Sequence, residues 1–170
     1  MTKVALLIED MYQEVEALVP YYRLQEAGFQ VDVIGPEVKV YKSKLGYPLK
    51  ATVAAADAKA DDYVAVIIPG GYAPDRMRRH ADMVRLVREM DAQGKVIAAI
   101  CHAGWVLVEA DILRGRRATS FFSIRKDMEN AGARWVDEAP VVDGNLITAR
   151  TPDDLPAFLR AIVEALKEKV

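Results

Sequence analysis

Cysteine occurs once in this chain of 170 residues, and histidine and asparagine twice each. A single cysteine excludes an intramolecular disulfide and every multi-cysteine metal site, so no metal is expected and a reducing, cytoplasmic setting is. Long apolar runs are also missing. The opening "MTKVALLIEDMYQEVE" is interrupted at Glu9 and Asp10, and no later stretch reaches the length of a membrane helix, so neither a secretory signal nor a membrane span is expected. Neither a G-x-G-x-x-G nor a P-loop pattern occurs, and no nucleotide cofactor is expected. An excess of one charge is lacking too. The formal net charge is −2, with 23 basic and 25 acidic residues interspersed, which gives no large positive field for nucleic acid and no polybasic anchor. The local clusters "RMRRH" (Arg76 to His80) and "RGRR" (Arg114 to Arg117) read as a solvated helix face and a surface turn. His80 is accordingly read as a surface residue.

What is present is punctuation. "KVALLI" (Lys3 to Ile8), "QVDVIG" (Gln30 to Gly35), "YVAVIIPGG" (Tyr63 to Gly71) and "KVIAAI" (Lys95 to Ile100) are short apolar runs of the kind that form strands buried on both faces of a parallel sheet. Between them lie helical stretches: Glu14 to Gly28, ending at a glycine cap and kinked or restarted at Pro20, and an amphipathic Asp82 to Gln93. Val38 to Val53 suggests hairpin or edge strands. A helix over Ile124 to Ala131, short strands "WVD", "PVVD" and "NLITAR" with a tight Asp143-Gly144-Asn145 turn, and a last helix from Pro152 to about Lys167 complete the reading. Strands alternating with helices predict one α/β domain, a three-layer sandwich around a mostly parallel sheet. With 52% hydrophobic residues, the chain is long enough to bury a core unaided.

The chemistry-bearing stretch is "VIAAICHAGWVLVEA" (Val96 to Ala110), where Cys101-His102 stands between a strand and a helix. In an open α/β sheet, sites form beyond the carboxyl ends of the strands. A side chain held at such a turn needs small neighbours, and Ala98, Ala99, Ala103 and Gly104 supply them. A helix starting at His102 would aim its positive end at the sulfur and favour the thiolate, and His102 could accept its proton. Successive helical residues point about 100° apart, so the pairing needs an elbow that departs from helical geometry. Equally, a lone cysteine can be a small buried hydrophobe. From the residues alone Glu16 also reads as an exposed helical glutamate, and Gly70-Gly71 as either a turn or an amide cradle for negative charge.

"AAICHAGWVLVEADILRGRRATSF", "VIIPGGYAPDRMR" and "LLIEDMYQEVEALVPYYRLQEAGF", with "GARWVDEAPVVDGNLITARTPDDLPAF", resemble the PfpI family nearly end to end. That family's superfamily includes the Parkinson-associated deglycase and glyoxalase III. The resemblance implies a flavodoxin-like, class I glutamine amidotransferase-like fold with Cys101 as nucleophile and His102 as its base. Glu16 would be the buried acid at the sulfur, and the amides of Gly71 and His102 the oxyanion hole. It further implies a homo-oligomer, a dimer or a hexamer, in which an acid reaches the histidine across a subunit contact; Asp75 holds that place. Two departures stand out: the family's Cys-His-Gly-Pro is here Cys101-His102-Ala103-Gly104, and Asp75 is one methylene shorter than the glutamate of peptidase-like members. Tyr72, Trp105 and Phe121 are candidates to line the pocket.

The expected activity is cofactor-independent conversion of a small α-oxoaldehyde or its protein adducts, of glyoxalase III or deglycase type, through attack of the Cys101 thiolate on a carbonyl. Two alternatives stand beside it. One is an intracellular cysteine peptidase acting on proteins or peptides; the other is a redox-responsive stress or chaperone-like protein in which Cys101 is oxidised. Glutamine amidotransferase chemistry needs a later histidine, and none follows His102.

Overall fold

A computed structural model describes residues 1–167. In chain order the elements are β1 (Lys3–Leu7), α1 (Glu14–Glu26), β2 (Gln30–Gly35), β3 (Val40–Lys42), β4 (Pro48–Lys50), β5 (Val53–Ala54) and β6 (Ala65–Ile68). There follow α2 (Ala73–Met77), α3 (Ala81–Ala92), β7 (Val96–Ile100), α4 (Gly104–Ala110), β8 (Arg117–Ala118) and α5 (Arg125–Asn130). β9 (Arg134–Trp135), β10 (Val141–Asp143), β11 (Leu146–Ala149) and α6 (Leu155–Leu166) close the chain.

Seven strands form the main sheet in the order β10-β11-β7-β6-β1-β2-β5. All neighbours run parallel except β10, which folds back on β11 through the Asp143–Asn145 turn, where Gly144 takes φ +59. β6 and β7 are buried along their whole length, as expected of central strands covered on both faces. α1 and α6 pack together on one side of the sheet, while α3 and α4 pack on the other with α2 and α5 against α4. This is the mostly parallel, flavodoxin-like three-layer arrangement expected from the alternation of elements.

The helices form where apolar residues recur at helical spacing. α3 buries Met83, Val84, Leu86, Val87 and Met90, and α6 buries Leu155, Phe158, Leu159, Ile162 and Leu166. In α1 the buried stripe is Glu16, Ala17, Pro20 and Leu24, and the helix runs through Pro20 without restarting. Gly28, at φ +98, ends it with its N–H on the Gln25 carbonyl. The Val38–Val53 region holds the β3–β4 hairpin and the edge strand β5; β8 and β9 form a separate parallel pair. No helix among the described residues is long and apolar enough to cross a membrane.

The chain passes from β1 to β2 on one side, then crosses to β6 on the other. The carboxyl ends of β1 and β6 therefore flank a topological switch point, with β7 beside them, and loops diverge there to leave a crevice.

Candidate active site

Three strand ends build the site. β7 ends at Ile100, and Cys101 follows at φ +62, a left-handed conformation that a non-glycine residue adopts only when its surroundings force it. A 3-10 turn, Cys101–Ala103, leads into α4, which begins at Gly104 and not at His102. The anion-favouring groups at the sulfur are thus individual amides of a tight turn rather than the end of a long helix. The turn is pinned by the Phe121 N–H, which donates to the Cys101 carbonyl at 3.1 Å. Gly104 answers a packing need: a Cβ there would lie 2.5 Å from the Met128 sulfur on α5.

The loop after β6 carries Gly70 and Gly71. A Cβ on Gly70 would fall 2.5 Å from Glu16 Oε1 and 2.9 Å from Cys101 Cβ, so only glycine lets three strand ends converge. Gly71, at φ +79, is bridged to Tyr12 in the loop after β1, and its Cβ would meet Gln13 N and Met11 O at 2.6 Å. The geometry aims the amides of Gly71 and His102 at the Cys101 sulfur, where they favour the anion.

Glu16 arrives from α1 and is completely buried. Its Oε1 accepts the Gly70 N–H at 2.9 Å, while its Oε2 is buried with no hydrogen-bond partner among the described residues. Burial lifts Glu16 from 4.5 to about 7, with the Gly70 amide, Lys44 and Cys101 holding it back. Burial, then the neighbouring Glu16 carboxylate, pushes the Cys101 thiol up to about 12. These are properties of one coupled pair. Two buried acids in contact cannot both ionise near neutrality, so they hold one negative charge and one proton between them. Burial favours the protonated form of Glu16, and a proton on Oε2 spares that unpartnered oxygen a buried charge.

His102 places Nδ1 3.3 Å from the Cys101 sulfur and Nε2 3.2 Å from the Ser123 hydroxyl. Its ring stacks on Phe121 and meets Trp105 edge-on, with centroids 5.0 and 5.3 Å apart. Burial, then Lys44, lowers its pKa and keeps the imidazole neutral. A cavity of about 310 Å³ opens onto this group, bordered by Gln13, Lys44, Tyr72, Phe121 and Pro152. A larger groove, about 550 Å³, lies between α1 and α6 and has no cysteine or histidine in its lining.

The structure brings Cys101, His102, Glu16 and Gly71 together. It does not bring Asp75 to them within one chain: on α2, half-exposed, Asp75 pairs with Arg79 one turn on. Of the candidate liners, Tyr72 and Phe121 border the cavity, while Trp105 touches it only through His102. His80 is less detached than a surface reading implies, since its Nε2 lies 2.9 Å from the buried Glu9 carboxylate. Lys44 and Ser123 were not foreseen. Each reaches the site from a distant loop, and no local pattern in the sequence marks either.

A cysteine at a strained strand-to-helix turn, backed by a buried carboxyl at the switch point of a parallel sheet, defines a flavodoxin-like α/β protein with an elbow cysteine. The chain matches the DJ-1/PfpI family over residues 2–165, and it belongs to that family. It is 39% identical over 165 residues to the deglycase PfpI of Pyrococcus furiosus, covering 97% of this chain and 99% of that one. A deglycase of Pyrococcus abyssi is 41% identical over 165 residues with the same coverage. Among solved structures, a two-domain protein of Anabaena variabilis with DJ-1/ThiJ/PfpI-like and ferritin-like domains is 49% identical with a TM-score of 0.96. That match covers 98% of this chain and 48% of the other, so this chain spans about half of it. DJ-1beta of Drosophila melanogaster superposes with a TM-score of 0.91 at 28% identity, covering 97% and 90% of the two chains.

Proposed function

We propose that the protein is a cofactor-independent enzyme of glyoxalase III or deglycase type, acting on small α-oxoaldehydes such as methylglyoxal or on their adducts with protein amines and thiols. The observation that carries this reading is the completely buried Glu16 carboxyl beside Cys101 at the strained elbow, raised by burial to about 7, so that it holds a proton it can exchange with the sulfur and the substrate oxygen during attack. Deglycase relatives about 40% identical over nearly the whole chain add weight to it.

The sulfur attacks the aldehyde carbon, and the carbonyl electron pair moves to oxygen, where the amides of Gly71 and His102 stabilise the charge. A proton from Glu16 completes the hemithioacetal. His102 then removes the hydrogen from the former aldehyde carbon, and a proton is returned to the neighbouring carbon, which leaves a thioester. Water hydrolyses the thioester to lactate and restores the thiol. An aldehyde and one water become one hydroxy acid, with no net oxidation and no cofactor. A neutral His102 beside the sulfur suits the base role.

A cavity of about 310 Å³ suits a three-carbon carbonyl better than a polypeptide strand, which favours this reading over peptide hydrolysis. The enzyme acts within a homo-oligomer in this proposal. The test is lactate formation from methylglyoxal by wild type and by Cys101→Ser. Turnover should vanish in the variant, and equal turnover in both would sink the enzyme reading.

A further inference from the structure

Past the end of β1 the chain places a carboxylate, Glu9, where it is only 9% exposed. Both of its oxygens are engaged: Oε1 accepts the Asp10 N–H at 2.8 Å, and Oε2 lies 2.9 Å from His80 Nε2. A carboxylate only accepts, so Nε2 carries the hydrogen and donates it. An acid withdrawn from water stabilises a fold no better than an apolar side chain of its size, so the use of such a pair lies in which two segments it joins. Here the second segment is distant in sequence, the turn between α2 and α3.

The loop from Glu9 to Gln13 is a hub between two pieces of the site. On one side it meets the β3–β4 hairpin, which carries Lys44. Asp10 Oδ1 accepts the Lys42 N–H at 2.9 Å, the Met11 N–H donates to the Lys42 carbonyl at 2.7 Å, and the Lys44 N–H donates to the Tyr12 carbonyl at 3.0 Å. On the other side it meets the segment from Gly70 to His80. The Gln13 N–H donates to the Gly70 carbonyl at 3.2 Å, the Tyr72 N–H donates to the Met11 carbonyl at 3.0 Å, and Tyr12 is bridged to Gly71. Met11 is left-handed at φ +69, as Gly71 is at φ +79. Two left-handed residues meet here and one of them is not a glycine, so this junction relaxes unless it is held. Backbone bonds hold the near end of the segment. Its far end, beyond α2, is held by His80 on Glu9, the one side-chain hydrogen bond between the two stretches among the described residues.

We propose that Glu9 and His80 are positioning residues: the hydrogen bond between them clamps the far end of the segment from Gly70 to His80 onto the loop after β1, and so keeps the Gly71 amide aimed at the Cys101 sulfur and at the oxygen that gains charge during attack. Neither side chain borders the cavity, so both act through Gly71. The consequence for turnover rests on the glyoxalase or deglycase reading; the consequence for the thiol does not. Loss of the clamp lets the amide swing away from the sulfur, and the thiolate loses one of the two backbone donors that favour it. The field of Glu9 works the other way. Its negative charge disfavours a thiolate, so removing it by field alone would make Cys101 more reactive, whereas removing the clamp makes Cys101 less reactive. The two effects differ in sign.

The experiment uses the full chain. Because it holds a single cysteine, its alkylation by iodoacetamide at neutral pH reports on the Cys101 thiolate alone. Alongside it are read the Gly71 amide resonance by NMR, and kcat and KM for methylglyoxal. Glu9→Met, which can neither donate nor accept, and His80→Ala should each slow alkylation about three- to tenfold, the rate equivalent of one hydrogen bond. Each should move the Gly71 resonance and lower kcat by a similar factor with KM little changed. The double variant should be no slower than the worse single one, since both remove the same contact. His80→Gln, whose amide N–H can still donate to Glu9, should restore most of the rate. Tyr63→Phe, which removes a buried hydrogen bond elsewhere, serves as the control for lost stability and should leave alkylation and the Gly71 resonance as in wild type. The proposal is overturned if Glu9→Met speeds alkylation or leaves it unchanged, or if Tyr63→Phe slows it equally. If Glu9→Met fails to fold, the two His80 variants decide, and equal rates in His80→Ala and wild type overturn the proposal. Should wild type fail to convert methylglyoxal, the functional reading falls while alkylation and the Gly71 resonance still decide the role of the pair.

Discussion

Glu16→Gln separates what the buried carboxyl does for stability from what it does for chemistry. The folded protein holds this group near 7, against 4.5 for an ordinary glutamate. Between those values the folded state binds more protons than the unfolded one, so its stability falls as pH rises through that window and stays low above it. The interval corresponds to about 3 kcal/mol. The result does not depend on whether the charge of the pair sits on oxygen or sulfur, because only the number of bound protons enters. Glutamine removes the ionisation and keeps an oxygen for the Gly70 N–H. One of its two amide hydrogens has no acceptor besides the sulfur, which costs about 1–2 kcal/mol. At pH 8 the variant should therefore be more stable than wild type by about 1–2 kcal/mol, or about 3–6 °C in Tm for a chain of this size. At pH 4.5 or below the penalty is absent in both proteins, and the variant should be the less stable one. Calorimetry across this range, in matched buffers, should give two curves that cross between pH 5 and 7, roughly midway through the window set by linkage. Parallel curves would refute the argument, since they would mean that the Glu16 pKa is not displaced by folding. Turnover should be lost at every pH, because an amide cannot lend its proton.

Gly71→Ala places a Cβ 2.6 Å from backbone atoms of Met11 and Gln13 at φ +79, and should lower stability by about 2–4 kcal/mol in urea titrations while disturbing the amide aimed at Cys101. Tyr63→Phe deletes the buried hydroxyl that donates to Asp32 Oδ2 at 2.9 Å; chemical denaturation should show a loss of about 1–2 kcal/mol with turnover retained. Asp75→Asn removes only a half-exposed pair with Arg79 within the chain, so Tm should hardly move, by less than about 1 kcal/mol equivalent.

The strand and helix framework was legible in the sequence because it rests on local signals. Short apolar runs, ended by acidic residues at β1 and flanked by glycine at β2, β6 and β7, marked those strands, and apolar residues at helical spacing marked α3 and α6. The elbow was legible for a similar reason, since Ala103 and Gly104 advertise a tight turn beside Cys101. The two-residue strand β8 exists only through tertiary pairing and left no local trace in the sequence, while the readings at Val38–Val53 and "WVD" caught β5 and β9 only at their edges. Pro20 argued for a break, yet it lies in the buried stripe of an unbroken α1. Glu16 is instructive: it precedes Pro20 by four positions and Leu24 by eight, which places it on that same stripe, so burial could have been read from periodicity while its role could not. Lys44 and Ser123 were out of reach, because convergence of the β3–β4 loop and the turn before α5 on one cavity is a property of the sheet order.

The site concentrates the fold's unfavourable choices. Cys101 sits at φ +62, a conformation that costs a non-glycine residue about 1–2 kcal/mol, and the carboxyl at Glu16 adds about 3 kcal/mol above neutral pH. Stability alone would favour glycine at 101 and a neutral side chain at 16. The wholly buried strands β6 and β7, and the backbone bonds from Gly70 and Phe121, hold both residues in place against that preference. Strain and a buried acid with only one of its oxygens partnered, meeting beside a single sulfur at a strand end where a crevice opens, are hard to explain as packing. They follow directly if the sulfur must face the crevice with a proton-holding carboxyl beside it, as the proposed chemistry requires.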